Sequence, residues 1–437
     1  MATVTPFEKG TPLEARIQRL FMCQGAFAER GLLIRAAKGE SKLVTDIDVV
    51  AHDYSINFHH RRIYAECKGG KNRSPLDRAV WIRGIKEAIA ADFAYLVLER
   101  CDGSTAGFAK SLGVEILQVP SLVTLETALN IGKNFWPGRS NLLAYTKADD
   151  LIKRTIGRNT RGGLSEWLLN ALDVWRDASA LTFSYGRLNS LLSALEKCGG
   201  LVLDLSSDEN LVINYAVSAL LVRLCQYVLF AASDTLAMSH IAREQYLAER
   251  LTVGNFDIEQ SRSLLESASK IVHAQLVAQG QTPPGSWNVD HLLSAPPYAR
   301  PFASVVERCI SEGDKFRILA LSMELRLFGY GGDERESGRL INRIRPAIEL
   351  TGLVVAFARQ SLGVPDEYVR GPLHYLPRTV VNQVGPRHNG EKVPDPEQPA
   401  LPVDTPPADG GSTPSAVENT PEVGEAPAAE SKTTLEP

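Results

Sequence analysis

Apolar residues in the first 120 positions repeat with a helical period, then with a period of two, and then with each again. This order constrains the fold more than any other feature of the chain. Thr11, Pro12 and Glu14 form a helix start: a capping hydroxyl, a proline at the first helical position and a capping-box acid. Leu13, Ile17, Leu20, Phe21 and Phe27 follow at helical spacing and predict a helix that runs toward Gly31. Leu32–Ala37 predicts a short strand, turned by Lys38 and Gly39. Val44–Ala51 alternates and predicts a second strand, with Tyr54–Phe58 extending the hairpin, and Arg61–Lys68 predicts a third. After a loop from Gly69 to Pro75, Leu76–Ala91 predicts a helix. Phe93–Leu98 is an unbroken apolar run, as a central strand covered on both faces would be. Phe108–Leu112 adds a short helix and Val114–Gln118 a last strand. The order is α-β-β-β-α-β-α-β, an α/β domain on a mixed sheet, and it is assigned to residues 1–120.

The remainder divides differently. Residues 121–140 read as a linker and 141–384 as an all-α domain. Leu164–Leu195, Leu211–Arg250, Ile258–Ala278, Phe302–Ile310, Lys315–Phe328 and Ser337–Leu362 all space their apolar residues helically. Trp167 and Trp175 fall in that domain as core residues, and Gly329–Gly332 is a helix connection rather than a phosphate loop. Residues 385–437 hold eleven of the 25 prolines and no aromatic residue, so they lack the apolar surface to offset ordering and are expected to be a disordered tail. That tail carries net −7, which leaves the body at +3 within a total of −4. A mildly basic body is compatible with a polyanionic ligand. Leu211–Ala232 is apolar enough to raise a membrane question, but Asn214, Arg223 and Gln226 lie on different faces of it. Arginine at a bilayer centre costs roughly 3 kcal/mol, so a core helix is the expectation and no membrane is implied. The six cysteines have neither zinc-knuckle nor disulfide-framework spacing, and MATVTPFEKG lacks an apolar leader. The cytoplasm is the expected location.

Side chains alternate along a strand, so in the third strand Tyr64, Glu66 and Lys68 share one face and Ile63, Ala65 and Cys67 the other. In the second, Asp46, Asp48 and Val50 oppose Ile47, Val49 and Ala51. Hairpin pairing can bring Asp48 beside Glu66, with Lys68 one pleat further. Two carboxylates suit a hard divalent cation such as Mg²⁺, with Mn²⁺ as a substitute, and the lysine can position a water or offset phosphate charge. A basic cluster follows: Lys71, Arg73, Arg78, Arg83 and Lys86, with His59, His60, Arg61 and Arg62 before the third strand, a local excess of the kind that neutralises phosphates.

Asp48 followed by Glu66-Cys67-Lys68, within this element order, resembles the PD-(D/E)XK nuclease superfamily and looks most like its Mrr-like restriction-endonuclease branch. The resemblance covers residues 10 to about 118. It implies a restriction-endonuclease-like αβββαβ core that hydrolyses DNA phosphodiester bonds in restriction, defence or repair. It also implies that Asp48 and Glu66 hold the metal with the Cys67 backbone carbonyl, that Lys68 serves the attacking water, and that Glu14 joins the site. Two departures stand: Ile47 precedes the aspartate where relatives have proline, and Asp46 is a rival carboxylate. Bland readings accompany these roles. Glu14 is equally the capping partner of Thr11. For Glu66 and Lys68 the bland reading is a surface ion pair worth under about 1 kcal/mol, which the apolar residues alternating with them and Gly69 and Gly70 weaken. The alternatives are a non-catalytic nucleic-acid-binding or assembly module on a nuclease-like fold, or a structure-specific junction resolvase. The helical domain is open to a target sequence, a partner protein or a second copy of the chain as a homodimer.

Overall fold

The computed structural model describes residues 13–35, 43–68, 74–156, 163–177, 181–201, 206–281, 289–332, 334–337 and 339–372. All of them lie in one compact unit, Met1–Arg387. The expected disordered tail, together with Thr11, Pro12, Lys71 and Arg73, lies outside the described residues.

Helix α1 spans Leu13–Cys23, and its end corrects the sequence reading. The helix stops at Gly25, whose φ of 93° is left-handed. The Gly25 amide donates to Met22 (2.9 Å) and the Ala26 amide to Phe21 (3.0 Å), which closes the helix with the paired bonds of a Schellman motif. Phe27, expected on the helical face, therefore starts strand β1, Phe27–Arg35. Strand β2 is Leu43–Tyr54 and β3 is His60–Lys68. Helix α2, Pro75–Ala88, starts on Ser74, whose hydroxyl accepts from the Asp77 amide, with Pro75 in the first turn. Strand β4 (Phe93–Leu98), helix α3 (Gly103–Ser111) and strand β5 (Glu115–Gln118) complete the region. The five strands form one mixed sheet in the order β1-β2-β3-β4-β5. The first three are antiparallel, and β4 and β5 pair in parallel through the crossover helices.

Residues 121–140, read as a linker, carry most of helix α4 (Val119–Ala128), the two-residue strand β6 (Trp136–Pro137) and a 3₁₀ turn, Gly138–Ser140. Beyond them come α5 (Leu142–Ile156), α6 (Leu164–Trp175), α7 (Tyr185–Cys198), α8 (Ser207–Thr235), α9 (His240–Val253) and α10 (Ile258–Ala278). The chain continues with α11 (Val289–Leu292), α12 (Ala299–Ser311), α13 (Gly313–Phe316), α14 (Leu319–Phe328), β7 (Tyr330–Gly331) and α15 (Leu340–Leu362). Three of the helical stretches divide where caps intervene or geometry tightens. Ser184 caps α7 and Ser239 caps α9, each hydroxyl accepting an amide from the following turn, so 164–195 and 211–250 each become two helices. The stretch 315–328 divides at Arg317 and Ile318. The Gly329–Gly332 connection pairs Tyr330 and Gly331 with Pro137 and Trp136.

Helix α8 is apolar nearly all round and runs through the centre of the helices. Of the described residues it alone has the length and hydropathy to cross a bilayer, and 89% of its most apolar stretch is packed inside the protein. Val49, Ala51, Ala65 and Cys67 of the sheet share one continuous core with Leu221, Leu224, Phe328, Trp167 and Trp175 of the helices. A second core, under α2, holds Leu32, Ile47, Val50, Tyr64, Ala79, Ile82 and Leu96. Strict alternation put Ile47 with Val49, but Ile47 joins the α2 side. The change falls at Asp48, between the Leu32–Ile47 and Arg30–Val49 pairs, across from Gly31 at φ 66°. A left-handed glycine there lets the edge strand twist locally.

Candidate active site

The β2–β3 register matches Val50 to Tyr64 and Val49 to Ala65, and one further step sets Asp48 beside Glu66. Both carboxylates are buried, with Glu66 at 0% exposure. The Cys67 amide donates to Asp48 Oδ2 at 2.7 Å, which fixes the aspartate across the strand gap. Lys68 Nζ lies 2.8 Å from Glu66 Oε1 and 3.6 Å from Asp48 Oδ2, and its side chain is 36% exposed. The ammonium therefore touches both carboxylates from the solvent side. Sequence reasoning named these three residues, and the structure brings them together.

Glu14 occupies the first turn of α1 and is half-buried. Burial raises its carboxyl above the usual range, and the charge of Asp48, then that of Asp46, adds to the rise against Arg30 and Lys68. Asp48 is raised too, again chiefly by burial, with the Cys67 amide and Lys68 opposing. Asp46 is exposed, in keeping with a solvated carboxylate. The Cys67 side chain is a core thiol, raised well above its ordinary pKa by burial.

Two contacts of Glu66 escaped the sequence reading. The Tyr64 hydroxyl donates to Glu66 Oε2 at 2.5 Å, and the strand pattern had placed the two side chains on one face without assigning tyrosine a role. Arg78, expected on DNA phosphates, instead pairs with Glu66 Oε1, and its guanidinium stacks 3.8 Å over the Trp81 ring. Elsewhere in the basic cluster, Arg83 bonds the Leu112 carbonyl at 3.1 Å and pairs with Glu87, and Lys86 reaches the Gly113 carbonyl at 3.4 Å. These two close the C-terminal end of α3. Arg61 pairs with Asp53, and Arg62 is buried, donating to the carbonyls of Ile89 and Leu181.

Among the described residues, no group of three or more His, Cys, Asp or Glu side chains is gathered to hold a metal. The donors that fit are Asp48 and Glu66. Magnesium sites are commonly built from one or two carboxylates completed by waters and phosphate oxygens. Because the Lys68 ammonium contacts both acids, a single cation can reach both. A cavity of about 660 Å³ between α6 and α7 is lined by Trp167, Asn170, Asp173 and Arg187 and takes in none of these residues.

A second polar cluster lies nearer the start of β3. Arg223 of α8 donates to Glu29 (2.9 Å), to Gln226 Oε1 (2.6 Å) and to the Trp175 carbonyl (3.0 Å). His52 Nε2 is 3.3 Å from Glu29 Oε1, and His52 Nδ1 is 2.9 Å from His60 Nε2. The two imidazoles share one hydrogen bond, His52 Nδ1 to His60 Nε2, and His52 Nε2 faces Glu29. Burial holds His52 down to about 4 and His60 to about 2. For Glu29, burial works upward, but Arg223 and His52 outweigh it and bring the carboxyl down to about 2. The adjacent histidines, grouped in the sequence with the basic residues before β3, part company in the fold. His59 is exposed, but His60 is stacked on Tyr54 and meets the Phe230 ring edge-on.

The chain matches no protein-family model, no curated protein and no solved structure.

Proposed function

We propose that the protein is a metal-dependent endonuclease acting on DNA, with the five-stranded sheet and its covering helices as a restriction-endonuclease-like core of PD-(D/E)XK type. The observation that carries this reading is the Lys68 ammonium seated on Asp48 and Glu66 together, at a point open to solvent. A surface ion pair would keep its carboxylate in water, whereas Asp48 and Glu66 are both buried beside one another with the Lys68 side chain reaching solvent. In this reading Asp48 and Glu66 would hold Mg²⁺ or Mn²⁺, which supplies charge neutralisation at the phosphate and a more acidic bound water. The Cys67 amide keeps Asp48 turned toward the site, and Tyr64 orients Glu66. Lys68, whose ammonium has three donors, keeps its place beside the acids and hydrogen-bonds the attacking water. Glu14, raised in pKa beside Asp48, is placed to exchange a proton with a water at the margin of the site.

A second reading has its own support: Glu66 already has Tyr64, Lys68 and Arg78 as partners, the state expected of a DNA-binding or assembly module with no chemistry. Incubating the full chain with linear and branched DNA separates the readings. The nuclease reading expects breaks in Mg²⁺ or Mn²⁺ and binding without breaks in Ca²⁺. Salt-sensitive binding with no breaks in any of these metals favours the module. Cutting confined to branched substrates makes the enzyme a resolvase.

A further inference from the structure

Arg78 was read as a phosphate contact, yet its guanidinium is turned inward. It shares Glu66 Oε1 with Lys68 while Tyr64 takes Oε2. Asp48 and Glu66 carry two negative charges, and Lys68 and Arg78 carry two positive ones. These four charges cancel before any metal arrives. A divalent ion added to that arrangement would leave a net charge of two in a poorly solvated place, which is strongly unfavourable. One of the cations has to leave Glu66 for the ion to bind.

The two cations differ in how readily they leave. Lys68 follows Glu66 on β3 and contacts both acids. Arg78 sits on α2, contacts Glu66 alone of the pair, and rests on Trp81 one helical turn along. Its stacking does not depend on the carboxylate, so it can turn outward and keep the aromatic contact. A planar guanidinium also has a better partner than a shared carboxylate oxygen in a phosphate, which accepts it bidentately.

Resting on the nuclease reading above, we propose that Arg78 is a gate that couples DNA to metal uptake: without DNA it occupies Glu66, and a substrate phosphate draws it away and opens the site to the cation. The coupling is reciprocal, so metal strengthens DNA binding by the factor with which DNA strengthens metal binding. The ion is admitted together with the bond to be cut, which restrains hydrolysis when no substrate is seated.

Calorimetric titration of Ca²⁺ into the full chain tests the gate without hydrolysis in the nuclease reading. Without DNA, Arg78→Gln should bind Ca²⁺ about tenfold tighter than the wild type. Arg78→Lys should fall between them, and Asp48→Asn added to Arg78→Gln should remove the gain. A short duplex should raise the wild-type affinity toward that of Arg78→Gln and add little to the variant. Equal Ca²⁺ affinity in wild type and Arg78→Gln, raised equally by DNA, would overturn the gate and leave the metal site standing. Proteins that melt normally but take up no Ca²⁺ with or without DNA would overturn the nuclease reading, and the gate with it.

Discussion

Strands β2 and β3 carry two polar clusters, one where β3 ends and one near where it begins. Asp48, Glu66 and Lys68 make the first, and Lys68 keeps a third of its side chain in solvent. Glu29, His52, His60 and Arg223 make the second, in which Glu29, His52 and Arg223 are each under 5% exposed. The sealed cluster includes one full ion pair plus two histidines held neutral, and it ties α8 to the sheet. The open cluster pushes carboxylates together and raises the pKa of Asp48 and Glu14. A buried ion pair between two elements, such as Arg223 with Glu29, specifies how they dock. Carboxyl groups raised in pKa within reach of solvent are candidates for binding a ligand.

Substitutions at the two clusters should therefore damage different properties. Lys68→Ala is the largest expected effect on chemistry. Cleavage should drop by about 10³-fold or more, roughly 4 kcal/mol in activation free energy, with thermal stability and DNA binding nearly unchanged. Arg223→Met acts on the other side of the comparison. It leaves Glu29 charged and buried without its guanidinium, which should cost about 3 to 5 kcal/mol in urea unfolding. A stability loss from Lys68→Ala as large as that from Arg223→Met would erase the distinction between the clusters.

The open cluster was legible because its members lie on adjacent strands of a hairpin, so alternation and register alone bring 48 and 66 together. The α1 boundary was not, because Gly25 is a common residue whose helix-ending conformation depends on the two amide bonds behind it. The sealed cluster was invisible for a different reason. Glu29 and Arg223 stand 194 residues apart, and no local spacing reports such a pair. Arg223 appeared in the sequence only as an argument against a membrane span. Arg78 illustrates the remaining gap: its place in a basic run was readable, but whether it points to solvent or to Glu66 is decided by the packing of α2.

The effect of pH takes its sign from the sealed cluster. His52 has an ordinary value of 6.5 and about 4 when folded. From pH 6.5 down to about 4 the unfolded chain takes up a proton that the folded chain refuses, so stability falls as pH falls. Glu29, lowered from 4.5 to about 2, loses its stabilising contribution over the next interval down. Each such proton contributes a slope of about 1.4 kcal/mol per pH unit. Melting temperatures taken across pH 7 to 4 should fall for the wild type and fall less steeply for His52→Gln. A profile that rises on acidification would contradict the assignment of neutral histidines.

The most direct measurement compares wild type and Asp48→Asn for breaks in DNA in Mg²⁺, with the melting temperature of both proteins recorded. The account predicts cutting by the wild type alone, with both proteins folded. Cutting by Asp48→Asn at the wild-type rate, or no cutting by either, would contradict it.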